Sequence, residues 1–111
     1  MPAAVADDLG LLYGPRLRQV LLFGSWASGE GSVESAIDLL VVLDDDGFPI
    51  LPWEEVRAMD DVLWQHTRRT GLTISVLPVG QGELVRAADP TVVRARAEAA
   101  GVRVVATYGA A

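Results

Sequence analysis

Two kinds of hydrophobic pattern follow one another along the chain, and they predict its first helix and strands. Val5, Leu9 and Leu12 recur at helical spacing and predict a short helix that stops before Gly14. Strands are then predicted at 17–23, which ends in the apolar stretch 20–23, and at 37–43. The second of these is a nearly continuous apolar run, as in a strand covered on both faces. Between the strands, a serine at position 25 could cap a short helix at 25–29.

The second half of the chain continues the alternation of helices and strands. A helix is predicted from about Trp53 to Arg69, with Val56, Met59 and Leu63 forming its buried stripe. The later elements are a strand at 72–77, helices at 82–88 and 91–100, and a strand at 102–106. This mixture predicts an α/β or α+β fold, a small mixed sheet packed with helices, formed by residues 1–111 as a single domain.

The composition excludes several classes of chemistry. The 111 residues include no cysteine, so disulfides, thiolate nucleophiles and Cys-ligated zinc are excluded, and a cytoplasmic location is the default expectation. The apolar runs are too short to cross a bilayer, so no membrane partner is expected. All nine basic residues are arginines, which excludes lysine-dependent chemistry. A single histidine, His66, cannot form a two-histidine metal site and is expected at the edge of the core.

The net charge of the chain bears on its partners. The formal charge is −6, whereas non-specific binding to nucleic acid depends on cationic side chains that displace counterions from phosphates. A nucleic-acid partner is therefore not expected. Whatever chemistry the chain has must depend on carboxylates, hydroxyls and backbone amides.

The stretch that could carry chemistry lies between the first two predicted strands. Gly24 directly follows the first strand and would allow a phosphate to approach the backbone, while Ser25 would place a hydroxyl beside free amides at a helix start. These two residues are the candidate nucleotide-binding positions. A plain strand-to-helix turn, with Ser25 as a helix cap, would explain the same pair.

With the next strand included, the segment resembles the signature of the DNA polymerase β-like nucleotidyltransferases, especially the minimal nucleotidyltransferases that pair with HEPN-domain proteins. In that family an aliphatic strand ends in Phe-Gly-Ser, a small-residue turn follows, and a Ser-Asp-Ile-Asp-Leu strand begins ten residues after the serine. The matching positions here are Phe23, Gly24, Ser25, Ala27, Gly29, Ser35, Ile37, Asp38 and Leu39. Residues 71–79 resemble the strand that carries the family's third carboxylate, and 101–102 resemble its ending.

The resemblance implies a polymerase β-like fold and a two-metal reaction. In the family, an Asp-x-Asp pair and a third aspartate hold Mg²⁺ against an NTP such as ATP, and AMP is transferred to a hydroxyl of a protein or small molecule. Residues two apart on a strand share a face, which is why the pair can hold metal ions together.

The sequence departs from this pattern at the catalytic positions. Ala36 stands at the first aspartate position and Ser75 at the third, so Asp38 is the one remaining candidate for catalysis and for metal binding. Trp26 and Ser28 stand where the family commonly has arginine. Asp38 could retain some metal binding or could only cap nearby amides. Ala36 could be a natural loss or an engineered one, and the loss at position 75 favours a natural origin.

Glu30 and Glu34, in the loop before the second strand, are the nearby acidic residues that could substitute for the missing aspartates. Their geometry is not constrained by the sequence. A recovered metal site would therefore have to come from these two residues together with Asp38.

Two functions from different classes remain open after these substitutions. The first is a nucleotidyltransferase that is inactive or impaired, acting as an antitoxin-like partner of a HEPN-type toxin. The second is a non-catalytic protein-binding module that keeps the fold and has no role for nucleotide. An oligomer is compatible with either. Core packing is the plain account of the three tryptophans, Trp26, Trp53 and Trp64, although tryptophan is also enriched at the centres of interfaces. Trp26, on the predicted turn, is the one predicted as a partner contact.

Overall fold

A computed structural model describes residues 2–24, 26, 30–32, 34–45, 50–86, 90, 92–93, 95 and 104–107. Its elements, in chain order, are α1 (Pro2–Tyr13), a 3-10 turn (Gly14–Arg16), β1 (Leu17–Phe23), β2 (Ile37–Leu43), α2 (Pro52–Thr70), β3 (Ile74–Gly80), α3 (Gln81–Arg86) and β4 (Val104–Thr107). Residues 90, 92, 93 and 95 are also helical.

The four described strands form one mixed sheet in the order β3-β2-β1-β4. β1 runs antiparallel to both of its neighbours, whereas β2 and β3 run parallel. A parallel pair needs a long crossover, and α2 supplies it between β2 and β3. Because β3 stands at one end of the strand order, it is an edge strand among the described elements.

The sheet buries apolar side chains on both faces. Ile37, Leu39, Val41 and Leu43 of β2 belong to a cluster that also contains residues of α1 and α2, such as Leu9 and Met59. The alternate residues Leu40 and Val42 belong to a second cluster with Val79, Val92 and Ala95. Because successive side chains of a strand point to opposite faces, this division explains the nearly continuous apolar run of β2.

Polar contacts join α1 to α2 beside the first cluster. The buried His66 ring places Nε2 2.6 Å from Asp8 Oδ2, which agrees with a structural place for this histidine near the core. The Tyr13 hydroxyl donates to Glu55 Oε1 at 3.1 Å, and Arg16 donates to Glu55 Oε2 at 2.9 Å. Burial, and then the charge of Glu55, raise the pKa of Tyr13 above its usual range, so the hydroxyl stays protonated as a donor.

The predicted strands β1 and β2 are confirmed with the bounds given above. β3 begins two residues later than predicted and runs on to Gly80, because its pairing with β2 extends from Ile37↔Ile74 to Leu43↔Gly80. The α3 helix begins one residue before the predicted start and ends at Arg86. The last strand is described at Val104–Thr107, one residue past the predicted end, and the predicted positions 102 and 103 lie outside the described residues. The predicted helix at 25–29 is described only at Trp26, which lies in a turn.

Among the described residues, no helix has the length and apolar character that crossing a membrane requires.

Candidate functional site

Strand register brings the three elements of the predicted site together. Phe23, the last residue of β1, pairs with Asp38 on β2, and Asp38 pairs with Ser75 on β3. Paired residues of neighbouring strands present their side chains on the same face. The position that the family resemblance assigned to the third carboxylate therefore does lie beside Asp38, and in this chain it carries a hydroxyl.

This site lies on the sheet face opposite α1 and α2, at the end of the second apolar cluster. Asp38 has the parity of Leu40 and Val42, which pack against Val79 and Val92 on that face. Ala36 comes immediately before β2 and is half-buried. Asp38 is half-buried as well, while Ser75 is exposed. The end of this face that carries Asp38 and Ser75 is therefore more accessible than the apolar cluster beside it.

Gly24 has a specific structural reason for being glycine. Its φ is +76°, in the left-handed region, and a Cβ atom at this position would overlap the Asp38 carboxylate. The turn after β1 therefore passes directly over Asp38. The Gly-Ser motif predicted that a phosphate could approach the backbone here, and in the structure the space next to the glycine is occupied by the Asp38 carboxylate. Ser25, the other predicted nucleotide-binding residue, lies outside the described residues.

Trp26 anchors the loop that follows. Its indole nitrogen donates to the Ser35 carbonyl at 3.1 Å, and its ring is half-buried against the first apolar cluster. The ring also lies so close to Gly31 that a Cβ atom there would overlap it. These contacts give Trp26 an internal role, and its predicted role as a partner contact rests on no described feature.

The other two tryptophans are the exposed ones. Trp53 and Trp64 are each 60% exposed on α2, so core packing, the plain account of the tryptophans, does not apply to them. They are eleven residues apart, close to three turns of a helix, so they lie on one face. The buried stripe predicted for α2 is confirmed at Met59 and Leu63. At about 100° per residue, the two tryptophans lie about 100° around the helix from that stripe, on a face beside it.

The donor set at the site does not fit a two-magnesium centre. Mg²⁺ prefers several oxygen ligands, chiefly carboxylates, in octahedral geometry. Of the three aspartate positions only Asp38 has a carboxylate, and the described residues contain no group of three or more His, Asp or Glu side chains that could hold a metal ion. Glu30 and Glu34, the predicted substitutes, are both exposed.

The fold and the register of β1, β2 and β3 define a nucleotidyltransferase-type fold. A search of solved structures supports this class: the chain is similar to a proposed nucleotidyltransferase from Sulfolobus solfataricus, with a TM-score of 0.57 and 19% identity over 76% of this chain and 68% of that one. It is also similar to a toxin-antitoxin structure with AMP-PNP, with a TM-score of 0.57 and 15% identity over 99% of this chain and 75% of that one. At these identities the likeness establishes the fold.

Comparisons at the level of sequence gave no match. No protein-family model matches the chain, and no curated protein matches it.

Proposed function

We propose that this chain is a minimal nucleotidyltransferase-type protein that has lost metal-dependent nucleotidyl transfer and acts as an antitoxin-like partner of a HEPN-type toxin. The observation that carries the first half of the proposal is the Asp38↔Ser75 register, with Ala36 two residues before Asp38. Positions 36, 38 and 75 lie on neighbouring strands or directly before one, as a three-carboxylate site would need, and of the three only position 38 carries a carboxylate.

The chemistry explains why this loss matters more than most substitutions. Transfer of AMP from ATP needs cations to stabilise the charge that develops on the departing pyrophosphate. An alanine methyl cannot ligate Mg²⁺, and a serine hydroxyl contributes no charge. No step of transfer can therefore be assigned to the described residues.

The second half of the proposal, the role in a toxin pair, is supported by fold and by surface. One similar structure is a toxin-antitoxin complex, and its likeness spans nearly the whole of this chain. A protein-binding role does not need the missing carboxylates. It does need exposed apolar anchors, and α2 presents two exposed tryptophans.

A double substitution tests whether the frame is that of a nucleotide site. With Ala36→Asp and Ser75→Asp together, we expect Mg²⁺-dependent ATP binding to become measurable by calorimetry, because two anionic ligands are restored beside Asp38. Each single variant should gain less. Ala58→Asp is the matched control, since Ala58 is exposed on α2, across the sheet from the site. No gain in the double variant would remove the assignment of positions 36 and 75.

The unaltered chain tests the proposed function directly. We expect no transfer of label from radiolabelled ATP with Mg²⁺ to the product of the neighbouring gene, and we expect the two proteins to co-purify. Robust label transfer would refute the loss of catalysis. Failure to co-purify would refute the partner role and leave the metal-site result unaffected.

A further inference from the structure

The pairing of β3 with β2 shows which backbone groups of β3 point toward β2 and which point to its outer edge. Ile37 N donates to the Thr73 carbonyl at 2.8 Å, and Ile37 pairs with Ile74. In a parallel pair the backbone groups of successive residues alternate between the two sides of the strand. The backbone N–H and C=O groups that point toward β2 therefore belong to residues 73, 75, 77 and 79. Those that point away from β2 belong to residues 74, 76, 78 and 80.

Pro78 is consistent with this assignment, and it limits how many outward N–H groups the edge of β3 can offer. Proline has no N–H, so it is tolerated in a strand where the N–H would point away from the neighbouring strand. Two N–H groups then point outward along β3 before the proline, those of Ile74 and Val76. No other described strand pairs with this edge. As far as the chain is described, the edge is unpaired for one short stretch, and Pro78 prevents it from offering a longer ladder of hydrogen bonds.

A groove lies beside the same short stretch. It has a volume of about 500 Å³ between α2 and β3, and its lining includes Ile74 and Val76 of the strand and Asp60, Trp64 and Thr67 of the helix. Backbone donors and a side-chain groove thus occur together. Extended peptides bind sheet edges in this way, with backbone hydrogen bonds for affinity and a groove for alternate side chains.

The charge of the groove indicates the kind of peptide. Asp60 is the one charged side chain among the described residues that line it, and it is exposed, with no ion pair or hydrogen bond in the described part of the chain. Trp64 lies one helical turn further along and is 60% exposed. A tryptophan face attracts an arginine or lysine side chain, and a neighbouring carboxylate adds to that attraction. Two copies of this chain would bring two Asp60 carboxylates together, which disfavours self-pairing.

We propose that the edge of β3 at Ile74 and Val76, with the α2 groove, binds an extended segment of a partner protein that has apolar residues at alternate positions and an arginine or lysine beside them. The occupant is taken to be a protein because of the proposed function. Ile74 and Val76 belong to the apolar cluster on the sheet face opposite Asp38, and Ser75, which pairs with Asp38, also lines the groove from the strand between them. The proposed peptide site does not depend on nucleotide.

The test is a selection from a displayed library of random peptides on the full chain, followed by titration of selected peptides by NMR. We expect basic, alternating apolar peptides to be enriched and the amide signals of Ile74 and Val76 to shift most. Val76→Pro removes one outward N–H and no bond to β2, so it should weaken binding about tenfold, while Val76→Thr should not. Peptides that bind both variants equally, or no enrichment, would overturn the proposal.

A second variant keeps the test decisive if Val76→Pro does not fold. Asp60→Arg lies on the exposed face of α2, and it should reverse the selection from basic to acidic peptides. Unchanged preference would overturn the charge assignment. Sedimentation of the unaltered chain as a dimer that Val76→Pro dissociates would show that a second copy is the occupant. Because no toxin and no nucleotide is used, these results are independent of the co-purification and calorimetry experiments.

Discussion

The side of β3 that pairs with β2 and its outer edge differ in the functional groups that they present. On the inner side, register places Ser75 beside Asp38 and the turn at Gly24 passes over the carboxylate, yet the ligands that would use this geometry are missing. On the outer side, backbone N–H groups, a groove, a carboxylate and a tryptophan are all present. Strand pairing and core packing thus set where positions 38 and 75 lie, whichever side chains stand there.

The largest expected effect separates the two kinds of tryptophan. Trp26→Ala should lower the free energy of unfolding by about 2 to 4 kcal/mol, because the ring packs on the core and its N–H bonds the Ser35 carbonyl. Trp64→Ala should change it by less than about 0.5 kcal/mol, since the ring is exposed. Urea denaturation measures both. Equal losses would contradict the division between an internal anchor and a binding surface.

A smaller effect is expected from the glycine above Asp38. Gly24 and Gly71 both have φ of +76°, but a Cβ atom at 71 would meet nothing, whereas one at 24 would overlap Asp38. Gly71→Ala should therefore lose about 1 to 2 kcal/mol from backbone strain, and Gly24→Ala should lose clearly more.

Asp38→Ala provides the control for that comparison. In this background the extra loss caused by Gly24→Ala should shrink, because the overlapping carboxylate is gone, and a double-mutant cycle from denaturation curves measures the change. If Gly24→Ala and Gly71→Ala lose the same stability when Asp38 is present, the backbone at Gly24 does not lie as close to the Asp38 carboxylate as described.

The smallest effect concerns the groove charge. Asp60→Asn should leave the free energy of unfolding within about 0.5 kcal/mol, because Asp60 is exposed. It should weaken binding of a selected basic peptide about threefold at low salt, and the difference should fade as salt screens the charge. Titrations at two salt concentrations measure this. A difference that is insensitive to salt would mean that Asp60 does not act through its charge.

The hydrophobic pattern by itself determined much of the fold. The bounds of β1 and β2 were predictable, since their compact apolar runs end at glycine or at charged residues. The order of helices and strands was predictable for the same reason. The sequence also shows alanine at position 36 and serine at position 75, where the family resemblance leads one to expect aspartate.

Only the tertiary structure decided which surfaces are available. The start of β3 was misplaced because its partner strand, and not its own composition, sets the pairing from Ile74 onward. Trp26 and Trp64 are alike as sequence letters, and the packing of the loop on the core buries one while α2 exposes the other. The unpaired edge at Val76, as far as the chain is described, likewise follows from strand order, which depends on contacts between residues far apart in the chain. Pro78 is a local sign of an edge strand, but it does not by itself tell which elements flank the strand.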